Sequence, residues 1–111
     1  MPYIVQPNDR LIRRIPKKPS HINNGRITSA CFKTHEDEDG LSINIESLIE
    51  ENEVIYNSST HKIAVFLAEI PINNGHECIH DEQEGNYSHG LVLGNTKPIA
   101  KKLAMASTFI D

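Results

Sequence analysis

No stretch of this 111-residue chain approaches the roughly 20 consecutive apolar residues that a helix needs to cross a bilayer. A membrane-spanning helix is therefore excluded, and no membrane partner is expected. The signatures of common enzyme classes are missing too: there is no P-loop, GxGxxG, GxSxG or HExxH. The deaminase pattern of H-x-E with P-C-x-x-C is also absent. Cysteine is scarce. Cys31 and Cys78 do not form a CxxC pair, so neither a redox motif nor a zinc knuckle is present. The leading MPYIVQPNDRLIRR has no apolar core of signal-peptide length and no small-residue cleavage pattern. That sets the expectation of a cytoplasmic protein whose two thiols stay reduced. Internal repeats and low-complexity tracts are lacking as well.

What is present fits one small domain over residues 1–111, with 38% apolar residues to build a single core. The net charge of −4 hides a division of the chain. Residues 1–33 hold Arg10, Arg13, Arg14, Lys17, Lys18, Arg26 and Lys33 against Asp9, a net of +6. Residues 34–111 hold four lysines and fourteen acids, a net of −10. A basic segment at about 10–26 thus precedes an acidic body. Such a segment can meet nucleic acid, the chain's own acidic half or an acidic partner. A pI of 5.8 lies far below that of a dedicated nucleic-acid domain, so weak nucleic-acid binding and a protein partner are expected.

Hydrophobic patterning predicts an α+β fold, a mostly antiparallel sheet of about five strands with two helices packed on it. The expected strands are 11–15, ended by Pro16; 27–34 (ITSACFKT), with Ala30 and Phe32 on one face; 41–43; 62–70 (KIAVFLAEI), nearly all apolar and so central; 76–80; and 87–94. A helix is expected over about 45–53, capped by Asn44, and a second over PIAKKLAMASTF after Thr96, with Ile110 on its packed face. The repeated INNG at 22–25 and 72–75 reads as the same turn used twice.

The most chemical stretch is GHECIHDEQEGNYSHG, residues 75–90. On a strand, His76, Cys78 and His80 would share one face, but same-face neighbours lie some 6–7 Å apart, so three of them rarely converge on one ion. No metal and no cofactor are expected. His89 opens a core strand beside a turn shaped by Asn86, and Gly90 admits a close approach. It is either a hydrogen-bonded histidine fixing the turn, the leading reading, or a general acid or base. Arg13, Ser29 and Ser42 are polar residues at expected strand positions, and an arginine with a hydroxyl can bind a phosphate.

The segments LIRRI at 11–15, SACF at 29–32, GLSI at 40–43 and NYSHG at 86–90, closing in a lysine-containing helix, resemble a group of small bacterial proteins of unassigned function. The resemblance implies no activity but draws attention to Arg13, Ser29, Ser42, Asn86 and His89. A looser likeness is to small NAD-consuming toxins and ADP-ribosyltransferases, which pair an early strand arginine or histidine with a strand serine; Glu69 is the one strand candidate for their later catalytic glutamate. The resulting expectation is an interaction subunit of a larger assembly, set in a toxin–antitoxin or phage-defence context. The alternative is an enzyme acting on a phosphate-containing substrate (nucleotide, NAD or RNA), with His89 and Asn86 as catalytic candidates and Arg13, Ser29 and Ser42 binding substrate. Convergence of those five side chains on one pocket separates the two.

Overall fold

Leu11, Arg13 and Ile15 alternate with Ile12 and Arg14 along the first strand, β1 (Arg10–Pro16), so each set takes one face of a sheet. The computed structural model describes residues 3–50, 53 and 55–110. A two-residue ribbon follows, β2 (Ile22–Asn23) against β3 (Arg26–Ile27), and then β4 (Gly40–Ile45) and β5 (His61–Leu67). A short helix α1 (Glu69–Asn73) leads to β6 (Cys78–His80) and β7 (His89–Leu93). Helix α2 (Ala100–Ala106) and β8 (Thr108–Ile110) close the described chain. The main sheet is wholly antiparallel in the order β6-β7-β4-β1-β5-β8. The α+β class thus holds, with six strands in the sheet where about five were expected.

One face carries the main core: Leu11 and Ile15 from β1, Leu41, Ile43 and Ile45 from β4, Phe66 from β5 and Val92 from β7. Cys31, Phe32, Ile99 and Leu103 cover it, and Phe32 meets Phe66 edge-on at 5.8 Å. On the other face Ile12, Ile63 and Val65 are buried as well. Strand β5 is therefore apolar on both sides and lies between β1 and β8, in line with its unbroken apolar run.

Four expected elements differ. Residues 27–34 form no strand of the sheet: Ser29–Phe32 is a 3₁₀ turn lying over the core. Its carbonyls are taken by side chains, Cys31 O by Arg13 Nε at 2.9 Å and Phe32 O by the Thr96 hydroxyl, instead of by a neighbouring strand. The expected helix over 45–53 is reduced to a 3₁₀ turn, Glu46–Leu48. Ile45 is held in β4 opposite Leu11, and Asn44 sits in the sheet and caps nothing; Glu51 and Asn52 of that expectation lie outside the described residues. The strand expected to reach 70 stops at Leu67, and Pro71 enters the first turn of α1, where a missing N–H costs nothing. The last helix ends at Ala106. The Ser107 hydroxyl bonds back to the Leu103 carbonyl at 2.6 Å, Ser107 turns extended, and Thr108–Ile110 pairs with β5, placing Ile110 opposite Ile63.

INNG is used in two ways. At 22–25 Asn24 and Gly25 take positive φ (52° and 75°) and turn a hairpin, while at 72–75 the same letters finish α1 and only Gly75 is left-handed (φ 87°).

Candidate functional site

The richest polar cluster lies where β4 meets β7. Asn44 stands opposite His89 across the ladder, and both are buried. The Asn44 amide donates to Asn86 Oδ1 at 2.7 Å and to Ser88 Oγ at 2.8 Å. Ser88, fully buried, donates its hydroxyl hydrogen bond to Glu53 Oε2, and Glu53 Oε1 accepts the Ser88 backbone N–H at 3.1 Å. His89 Nδ1 lies 3.0 Å from the Asp81 carbonyl and 3.1 Å from Asp81 Oδ2. Both neighbours are acceptors, so Nδ1 carries a proton, and in the neutral ring Nε2 keeps the lone pair. His89 is thus oriented by an acid, as a base would be, while its backbone N–H donates to the Asn86 carbonyl at 3.2 Å and fixes the turn. A cleft of about 380 Å³ beside Asn86 is lined by Glu50, Glu53, Glu82, Glu84 and Tyr87.

Arg13 lies elsewhere. The β1–β4 ladder runs through Leu11–Ile45 and Ile12–Asn44 and no further. Beyond that point the Arg13 guanidinium replaces it, with Nη1 donating to the Ser42 carbonyl at 2.8 Å and Nε to the Cys31 carbonyl. Burial pulls its pKa down, against the opposing field of Glu38. Arg13 lines a cleft of about 220 Å³ with Arg14, Pro16, His21, Cys31 and His61.

The five residues singled out by sequence therefore fall into separate places. Arg13 reaches Ser42 only through the backbone carbonyl, while the Ser42 side chain faces the other side of the sheet opposite Leu91. Ser29 opens the 3₁₀ turn over the core. Asn86 and His89 share one turn, and the clefts of Arg13 and Asn86 have no lining residue in common. Sequence reasoning did not assign Ser88, Glu53 or Asp81 to this cluster. Ser88 adjoins His89 and could have been found, whereas Glu53 arrives from 35 residues away with no local signal.

His76, Cys78 and His80 do not act together. His76 precedes β6 and bonds the Leu93 carbonyl through Nδ1 at 2.9 Å. His80 Nδ1 accepts the Tyr3 N–H at 3.1 Å, so its Nε2 donates to the Tyr87 carbonyl at 2.7 Å, and both ring nitrogens are occupied. Burial pushes the Cys78 thiol up to about 11, with the charge of Glu77 adding to the effect. Among the described residues no three His, Cys, Asp or Glu side chains come together as metal ligands.

Another surface feature borders β8. A cleft of about 480 Å³ is lined by Ile27, Ala104, Met105 and Phe109, with Arg26 on its wall. Lys62 Nζ sits 4.6 Å over the Phe109 ring. Met105 is 79% exposed. No helix among the described residues is long and apolar enough to cross a membrane. Comparisons with protein-family models, curated proteins and solved structures find no match for this chain.

Proposed function

We propose that this chain is an interaction subunit of a larger assembly, and that its protein partner docks along β8. The observation that carries this reading is the apolar cleft beside that strand. Among the described residues β8 ends the sheet with β5 as its one neighbour, which leaves an outer edge for an added strand. Ile27, Met105 and Phe109 supply pockets for apolar side chains, and Arg26 and Lys62 favour an acidic segment. The charge division of the chain supports the same view. Among the described residues only Arg10–Glu46, at 2.7 Å, pairs the basic segment with the acidic body. Arg13 and Lys17 bond backbone carbonyls, while Lys18 and Arg26 make no ion pair among the described residues and can meet a partner.

The enzyme reading needs Arg13 and His89 at one pocket, and their separation supports it less. A photo-crosslinking residue at Met105, expressed in the native host, tests the docking reading. One acidic protein should be captured, and Arg26→Glu should reduce the yield severalfold. Equal capture from the exposed position 36, which lines a different cleft, would refute it.

A further inference from the structure

We propose that the cleft between Arg13, Arg14, His21 and His61 binds a dianionic phosphate group, free or as the end of a phosphomonoester. This inference is independent of docking at β8. It begins with Arg13, a largely buried guanidinium with no carboxylate in ion-pairing range among the described residues. Its partners are two neutral carbonyls, Cys31 O and Ser42 O, which take Nε and Nη1. The second terminal nitrogen, Nη2, makes no hydrogen bond among the described residues. Glu38, whose field reaches Arg13, spends Oε1 on the His35 N–H at 2.7 Å. A buried cation without a counter-charge is costly, and a bound anion removes that cost.

The walls of the cleft suit such an anion. Arg13, Arg14, His21 and His61 all line it, and among the described residues no carboxylate does. His21 is held through Nδ1 by the Ser20 hydroxyl at 2.9 Å, and His61 through Nδ1 by the Thr60 hydroxyl at 2.8 Å. In both rings Nε2 makes no hydrogen bond among the described residues. Burial lowers the pKa of His21, with Lys18 and Arg13 adding positive field, and an anion arriving here would push it back up. At about 220 Å³ the cleft is smaller than the roughly 300–1,000 Å³ of pockets for drug-sized ligands. It accommodates a phosphate group and leaves little room for a base. The Nη2 of Arg13, the Arg14 guanidinium and two imidazoles reach the cleft from different elements, a spread of donors that suits tetrahedral oxygens better than a planar carboxylate.

The test titrates inorganic phosphate into the full chain at low salt, followed by calorimetry and by NMR of the histidine ring protons. Saturable binding is expected with a Kd of about 1 mM or tighter. His21 and His61 should shift more than His35 and His76. Arg14→Gln and the double variant His21→Asn/His61→Asn should each weaken binding about tenfold. Both leave the Arg13 bonds intact, so folding is retained, and unchanged melting curves verify this. Lys33→Gln, an exposed basic control, should bind as the parent does. Equal affinity for glycerol phosphate assigns the site to the phosphate group itself, and tighter binding assigns it to an organic phosphate. Absence of saturable binding, or equal affinity in all variants, overturns the proposal.

Discussion

Replacing Gly90 by alanine puts a methyl group into space that is already occupied. Gly90 stands in β7 between β4 and β6, opposite Ile43 on one side and His80 on the other. Its φ is not left-handed, so the requirement for glycine is steric. A Cβ here would lie 2.7 Å from the Ile79 carbonyl oxygen, 2.8 Å from Ile43 Cδ1 and 3.3 Å from Ile45 Cδ1. The two isoleucine methyls can swing aside at the cost of a rotamer. The Ile79 oxygen is backbone, fixed in the β6–β7 ladder, and can retreat only if β6 moves. Overpacking of this kind costs about 1–3 kcal/mol. Alanine also narrows the unfolded ensemble, which returns about 0.4–1 kcal/mol. The net loss is about 1–2 kcal/mol, or about 4–10 °C in Tm for a domain of this size. Urea unfolding followed by circular dichroism should show a lower midpoint with an unchanged m-value. Stability within about 0.5 kcal/mol of the parent would refute the close approach of β6 to β7.

Three further outcomes can be measured. Cys31 and Cys78 are both free, so intact mass under native purification should show no two-hydrogen deficit. The Cys78 thiol stands at about 11 in the fold against an ordinary 9.0, which means the unfolded chain ionises first as pH rises. Its contribution is therefore complete below pH 9.0 and lost towards about 11, and Cys78→Ala should flatten the alkaline fall in stability measured across that window. Nucleic acid should bind weakly and let go near physiological salt, because the acidic body opposes the basic segment. Filter binding should show a slope of about −0.9 in log affinity against log salt for each cation engaged. Sub-micromolar affinity at about 0.15 M salt, abolished by neutralising Arg13, Arg14, Lys17 and Lys18, would overturn this.

Much of the sheet could be read in the letters. β1, β4, β5 and β7 each carry their own apolar pattern, so their existence needed no knowledge of the rest. The segments that misled owe their shape to distant partners. SACF turns because Arg13 and Thr96 claim its carbonyls, and TFI leaves the helix because β5 offers it a ladder. The candidate site was legible in the same proportion. His89 and Asn86 stood out in one short stretch, and Arg13 stood out as a charge between core residues. The role of Arg13 was not visible, since nothing local reveals that β1 and β4 part company at Ile12. Glu53 and Asp81 look like ordinary surface acids until the fold delivers them to Ser88 and His89.

The place of β1 at the middle of the sheet governs how the chain can be made. Leu11 finds its partners in Ile45 and Phe66, so β1 stays unpaired on both sides until β4 and then β5 have followed it from the ribosome. At about 5–20 residues per second, translation keeps that strand waiting for seconds before β5 emerges. Pairing over such sequence distances belongs to the slower class of small-domain folding. During the wait the apolar Leu11, Ile12 and Ile15 are exposed beside Arg10, Arg13, Arg14, Lys17 and Lys18. Those cations repel other nascent chains carrying the same segment, and so they act as gatekeepers against premature strand-to-strand association.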